Sequence, residues 1–200
     1  MELFSDKTPI LFELPDAEMV YYPNFFGQVQ ANNLFEKLIS EVPWQLDNIT
    51  VYGKSYPQPR LTALYGNDGK PYGYSNIVMQ PHPWSPLIMF IKNEVENVVK
   101  TNFTTVLLNQ YRDGKDSNGW HADNEKELGR NPVIASVSFG ATRVFQMKHN
   151  SIVGCKKNIL LEHGSLLLMA GTTQHFWKHQ IPKTAKFVDP RINLTFRVIV

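Results

Sequence analysis

Arg191-Ile192-Asn193-Leu194-Thr195-Phe196-Arg197-Val198 decides how the chain is read. Ile192, Leu194, Phe196 and Val198 form one apolar face, and Arg191, Asn193, Thr195 and Arg197 project from the other, the period of two expected of a β-strand. An edge strand with a solvated polar face gives the same alternation, but two arginines flanking Asn and Thr are less ordinary than the Lys/Glu mixture of such a face. Working back from this stretch, which extends as a β-type run over 192–200, five more such runs appear, at 103–111, 133–139, 143–147, 158–161 and 165–169. No helical pattern separates them, so they are expected to pair antiparallel and to close as a barrel or a double-sheet jelly roll.

Helices precede the strands. Leu34, Phe35, Leu38, Ile39 and Val42 recur at helical spacing before Pro43. A second helix starts at Ser85 as N-cap with Pro86 in the first helical position, and Leu87, Phe90, Ile91, Val95, Val98 and Val99 line one face. Between the helices lies a Gly-, Pro- and Tyr-rich stretch, Val51-Tyr52-Gly53-Lys54-Ser55-Tyr56-Pro57-Gln58-Pro59-Arg60 and on to Tyr74-Ser75, read as hairpins with aromatic tips. Exposed aromatics beside Lys and Arg suit base stacking, and equally a plain surface connection.

The chain's 200 residues fit one domain, with no repeat, low-complexity tract or Gly/Ser linker to indicate a second. The longest strongly apolar run, 166–170, is far too short to cross a bilayer. The first residues lack the basic flank and apolar stretch of a secretory signal, and the sole cysteine, Cys155, cannot form an internal disulfide, so a reducing cytosolic or nuclear compartment is expected. The net charge of +2 conceals a split: residues 1–125 carry −6 and residues 126–200 carry +8. A basic half fits an anionic partner, and mutual neutralisation of the halves explains it equally well.

Candidate chemistry begins at Trp120-His121-Ala122-Asp123. Residues two apart in an extended segment share a side, so His121 and Asp123 can offer an imidazole nitrogen and a carboxylate oxygen to one ion. An isolated His-x-Asp arises often by chance and needs a third ligand. Of His149, His163, His175 and His179, the last ends the strand-like run Phe176-Trp177-Lys178 and completes a two-His, one-carboxylate triad that suits Fe(II) with positions open, zinc being the inorganic rival. The closing strand supplies the second half of a site. Its two arginines lie roughly 20 Å apart on an ideal strand and can reach toward opposite ends of one dicarboxylate, as 2-oxoglutarate requires. His82, His149, His163, His175 and Cys155 are read as structural or loop residues.

Together these residues resemble the AlkB-type Fe(II)/2-oxoglutarate-dependent dioxygenases that repair alkylated nucleic acids, over roughly residues 51–200. Residues 191–197 resemble that family's signature closing strand. The resemblance implies an α+β, mainly β fold: a double-stranded β-helix (jelly roll) with N-terminal helices packed on one sheet. It divides 1–200 into an N-terminal extension and helix (1–50), a nucleotide-recognition lid of hairpins (51–82) and a jelly-roll core (103–200). It implies iron ligands His121, Asp123 and His179, and co-substrate contacts Asn109, Tyr111, Arg191, Asn193, Thr195 and Arg197. Pro59-Arg60-Leu61-Thr62-Ala63 and Ala135-Ser136-Val137-Ser138-Phe139-Gly140-Ala141-Thr142-Arg143 look like the branch typified by human homologues 2 and 3.

Within that branch, Val51-Tyr52-Gly53-Lys54 resembles a hairpin that inserts an aromatic finger into a duplex, whereas Gly129-Arg130, Phe145-Gln146-Met147 and 174–183 look like the homologue that prefers single strands. Arg60, Tyr72, Ser75 and Glu125 match positions that touch the flipped base or shape its pocket, and Asn124 stands where the nearest relatives carry an acid. The implied activity is oxidative demethylation of bases such as 1-methyladenine and 3-methylcytosine in single- or double-stranded DNA, and by extension RNA, by a monomer using Fe(II), 2-oxoglutarate and O2 and releasing succinate, CO2 and formaldehyde. Two competing readings are a dioxygenase acting on RNA, protein or a small molecule, and a nucleic-acid binding module with a degenerate metal site.

Overall fold

A computed structural model of the chain describes residues 8–51, 54–67, 72–74 and 77–200, with residues 50–51, 72–74 and 77–78 described through their backbone alone. In chain order the elements are β1 (Ile10–Leu11), β2 (Glu18–Tyr22), α1 (Gln28–Glu41), β3 (Asn48–Val51), β4 (Lys54–Pro57), β5 (Leu61–Gly66), β6 (Tyr72–Tyr74) and β7 (Ile77–Met79). They continue with α2 (Pro86–Val99), β8 (Thr105–Tyr111), β9 (Asn118–His121), a 3-10 turn (Lys126–Leu128), β10 (Ile134–Gly140), β11 (Arg143–His149) and β12 (Lys156–Leu161). The last are β13 (Ser165–Ala170), the single-turn α3 (Thr173–Phe176), β14 (Trp177–Ile181) and β15 (Arg191–Arg197).

Two sheets face each other in a jelly roll. The larger has the order β1-β2-β13-β10-β15-β8-β5 and the smaller β12-β11-β14-β9, and all the strand pairs in both are antiparallel. The closing strand β15 lies between β10 and β8, with Leu194 opposite Val137 on one side and Leu108 on the other. All seven of its residues are buried, so the edge-strand reading of its alternation is overturned. Its apolar side chains join Leu34 and Leu38 of α1 and Ile88, Ile91 and Val95 of α2 in one core, each such burial being worth about 1.5–3 kcal/mol. Its polar side chains point into the space between the sheets.

The helix signals have a direct physical counterpart: Ser85 Oγ accepts from the Ile88 amide at 3.3 Å, and α2 ends at Lys100 in the left-handed region. Around the 51–82 stretch, β3–β4, which starts earlier at Asn48, and β6–β7 are two-stranded hairpins, but β5 is an outer strand of the larger sheet, paired to β8. Of the strand-like run Phe176-Trp177-Lys178, Trp177 and Lys178 do open β14, which carries His179 at its centre, and only Phe176 belongs to the preceding α3. Gly140, at φ +83°, closes the β10–β11 turn where an added Cβ would strike the Pro190 carbonyl and the Phe35 ring.

Candidate metal centre and its cavity

β9 and β14 are neighbours in the smaller sheet with His121 opposite His179. Two residues beyond His121, just past the strand end, Asp123 turns inward, and one ligand atom from each of the three residues lies within 4.8 Å of the others. The Asp123 amide donates to Gln174 Oε1 of α3 at 2.9 Å, which fixes the backbone carrying the carboxylate. His121 Nδ1 lies 2.7 Å from the Gly119 carbonyl, which can only accept, so Nδ1 carries the proton and Nε2 turns its lone pair inward, 3.9 Å from Asp123 Oδ1. The His179 ring stacks on Phe145 at 4.9 Å and meets His121 edge-on at 4.3 Å.

The electrostatics favour a carboxylate beside neutral imidazoles. Burial alone would raise the Asp123 carboxyl, but the Arg197 charge, then His179 and His121, outweigh it and hold it at about 2. Burial, then His121, pushes His179 down to about 3 against the pull of Asp123, and burial lowers His121 in the same way. Arg197 donates to Asp123 Oδ2 from Nε at 3.2 Å and Nη2 at 2.8 Å, while the buried Oδ1 has no hydrogen-bond partner among the described residues. A buried acceptor left open between two neutral imidazoles fits a divalent cation. The closing-strand arginines therefore differ in their company: Arg197 engages the metal-side carboxylate and lines the same cavity as Arg191.

Arg191, at the other end of β15, is 1% exposed. Its Nη2 donates to Ser138 Oγ at 2.9 Å and its guanidinium lies 5.2 Å from the Tyr111 ring centre, but Nε and Nη1 have no hydrogen-bond partner among the described residues. Burial lowers it to about 10. Between Arg191 and the triad lies a cavity lined by residues of both sheets. Asn109, Tyr111, Asn193 and Thr195 all line it. Asn193 and Thr195 are engaged with the protein: Asn193 Nδ2 donates to Ser136 Oγ and the Val137 carbonyl, and Thr195 Oγ1 donates to Asn193 Oδ1. The buried, unpaired guanidinium donors of Arg191 fit a carboxylate.

Of the residues matched to a base pocket, Glu125 is half-buried beside Asp123, its carboxyl raised by burial and then by the Asp123 charge, and Asn124 is exposed. Arg60 is buried, with Nε on Asn109 Oδ1 at 2.7 Å and Nη1 on the Ser117 carbonyl at 3.2 Å. Tyr52 and Ser75 lie outside the described residues, and of Tyr72 only the backbone is described. Gln174, Asn118, Phe145 and Arg143 were not anticipated. Asn118 Nδ2 lies 3.3 Å from His121 Nε2, and Arg143 donates to the carbonyls of Asp113, Asp116 and Pro182 with its guanidinium 5.8 Å from the Tyr111 ring centre. Only the inward serines 136 and 138, two apart on β10, had a legible signal, polar residues inside an apolar alternation.

The chain matches the description "2OG-Fe(II) oxygenase superfamily" over residues 18–197. It is 43% identical over 186 residues to the alpha-ketoglutarate-dependent dioxygenase alkB homolog 3 of Bos taurus, covering 88% of this chain and 64% of that one. It is 39% identical over 189 residues to the DNA oxidative demethylase ALKBH2 of Homo sapiens, covering 90% and 72%. The chain thus spans slightly less than two thirds of the alkB homolog 3 relatives it matches, 64–66% of their length. The solved structure of OsALKBH1 superposes with a TM-score of 0.69 at 16% identity, covering 94% of this chain and all of that one, a likeness of fold.

Proposed function

The chain belongs to the AlkB branch of the 2OG-Fe(II) oxygenase superfamily, and on that premise we propose that it is an oxidative demethylase of N-alkylated bases in DNA. The observation that carries the reading is the pairing of two open valences across one cavity: Asp123 Oδ1 between two neutral imidazoles, and the Arg191 donors at the far end of the same β-strand that holds Asp123 through Arg197. When bound, Fe(II) with 2-oxoglutarate and O2 supplies the oxidation of an N-methyl carbon, the co-substrate leaving as succinate and CO2 and the methyl as formaldehyde.

The protein's own part is placement. His121, Asp123 and His179 hold the cation, and Gln174 and Arg197 hold Asp123 in turn. Arg191 binds the distal carboxylate, with Asn109 and Tyr111 along its side. Phe145, Leu107 and Met169 line the cavity with apolar surface and keep water from the reacting atoms. Glu125 and Asn124 stand where a flipped base would enter. In the same reading, residues 51–82 contribute a lid through the β3–β4 and β6–β7 hairpins, residues 103–200 form the catalytic core, and the protein acts as a monomer in the cytosol or nucleus. No helix among the described residues is long and apolar enough to cross a membrane.

The outer face of the smaller sheet supports a polyanionic substrate. Cross-strand register sets Lys156, Lys148 and Lys178 side by side on adjacent strands, and Lys148 lies 4.4 Å from the ring centre of the half-exposed Trp120. Lys157 points the other way and covers Phe12 at 5.1 Å.

The test is a panel of single- and double-stranded DNA and RNA carrying 1-methyladenine or 3-methylcytosine, with Fe(II) and 2-oxoglutarate added before air. Repaired base with equal formaldehyde and succinate is expected, and His121→Ala should abolish turnover while leaving DNA affinity within about twofold. Consumption of 2-oxoglutarate without repair on every member of the panel defeats the substrate assignment.

A further inference from the structure

We propose that Arg60 is a positioning residue for the co-substrate, setting which end of the Asn109 amide faces the cavity; this rests on the reading of that cavity as a 2-oxoglutarate site. Arg60 lies between β4 and β5, 4% exposed. Its Nε donates to Asn109 Oδ1 at 2.7 Å and its Nη1 to the Ser117 carbonyl at 3.2 Å. The Ser117 amide donates back to the Pro59 carbonyl at 2.9 Å, so residues 59–60 and 117 are tied in both directions.

An amide side chain has one accepting and one donating end, and a guanidinium has donors only. The Asn109 end that meets Arg60 must therefore be its oxygen, and Nδ2 turns away from it. Asn109 lines the cavity, and its Nδ2 donates to no described residue. The polarity matters because a carboxylate is attracted by an N–H and repelled by a carbonyl. Asn193, directly across the β8–β15 pair, cannot replace it, since its Nδ2 goes to Ser136 and Val137 and its Oδ1 accepts from Thr195. Asn109 is thus the amide of this strand pair with a donor left for the ligand, and Arg60 is what keeps it so.

This role differs from contact with a flipped base, and the two separate experimentally. 2-Oxoglutarate is titrated calorimetrically into the Mn(II)-loaded protein for wild type, Arg60→Gln, Asn109→Ala and the double variant. Arg60→Gln is expected to weaken 2-oxoglutarate binding about tenfold, the effect of one charge-assisted contact. The double variant is expected to be no weaker than Asn109→Ala, because Arg60 acts through Asn109. Affinity for a 1-methyladenine oligonucleotide, read by fluorescence anisotropy without 2-oxoglutarate, should stay within about twofold of wild type. An unchanged 2-oxoglutarate affinity in Arg60→Gln, or additive losses in the double variant, overturns the proposal. Failure of the wild type to bind 2-oxoglutarate instead defeats the reading of the cavity. Should Arg60→Gln fail to fold, Asn109→Asp decides the matter: it keeps the Arg60 pairing and the melting temperature but replaces the donor with a negative charge, so at least tenfold weaker binding is expected and unchanged binding overturns the inference.

Discussion

Replacing Arg191 with methionine should leave the ligand-free protein about as stable as before while removing its response to 2-oxoglutarate. Ordinarily, removing one partner of a buried ion pair costs about 3–5 kcal/mol. Here the guanidinium has no carboxylate partner, and two of its buried nitrogens donate to nothing. Each unsatisfied donor costs about 1–3 kcal/mol, which methionine relieves. Against that stand one hydrogen bond from a charged donor to Ser138, about 1.5–3 kcal/mol, and the contact with the Tyr111 face, about 0.5–2 kcal/mol. The opposing sums, about 2–6 kcal/mol relieved against about 2–5 kcal/mol lost, overlap, so any net loss is at most about 3 kcal/mol. With ligand the two proteins separate. A ligand at about 100 times its Kd stabilises the native state by about 2.7 kcal/mol, which for a chain of this length raises the melting temperature by roughly 5–11 °C. The measurement is thermal unfolding of wild type and Arg191→Met with Mn(II), with and without 2-oxoglutarate. Wild type should show the full shift and the variant none. A loss above about 3 kcal/mol in the ligand-free variant, or an undiminished shift, would refute the argument that the open Arg191 donors serve an anion.

Two further perturbations probe the frame around the site. His163 Nδ1 accepts the Gly140 amide at 2.8 Å and burial lowers its pKa; the unfolded chain therefore takes up a proton below about pH 6.5 that the native ring resists, and stability falls as pH drops through that window by up to about 1.4 kcal/mol per pH unit. Urea midpoints of the metal-free protein at pH 7.5 and 5.5 should diverge more for wild type than for His163→Gln, and an equal divergence would show that His163 is not among the groups responsible. Gly140→Ala combines a positive φ with a Cβ against the Pro190 carbonyl, so a loss of at least about 2 kcal/mol is expected from urea unfolding, and a near-neutral result would mean that the β10–β11 turn has room to relax.

What could be read from the sequence followed from periodicity. Alternation in 191–198 and in the runs that became β8, β10 and β13 identified the strands and the side chains sharing a face, because a strand has only two faces. Ser85-Pro86 marked the start of α2 because an N-cap hydroxyl and a proline at the first helical position have one favoured arrangement. Periodicity is silent on register and on what meets each end of a strand. Hence Arg191 and Arg197 were recognisable as inward-facing, but their different partners were not. β5 escaped notice because it lies amid Gly-, Pro- and Tyr-rich hairpins, and its membership of the larger sheet depends on pairing with β8, remote in the chain. Gln174 reaches Asp123 across 51 residues of sequence, a contact no local pattern encodes. The adjacent Lys156 and Lys157 show the same limit from another side: both belong to the basic half of the chain, yet neighbours on a strand must diverge, and one of them covers Phe12.

The bond from Arg197 to Asp123 spans 74 positions and runs from the end of the final strand back to the first pair of metal-binding side chains. His121 and Asp123 are synthesised early, but the arginine that orients the carboxylate comes after every other strand of the jelly roll. A growing chain therefore carries its histidines and aspartate for some time without the means to aim them. A redox-active cation therefore meets its complete pocket only after the jelly roll has closed, which confines oxidising chemistry to a polypeptide already folded well enough to contain it.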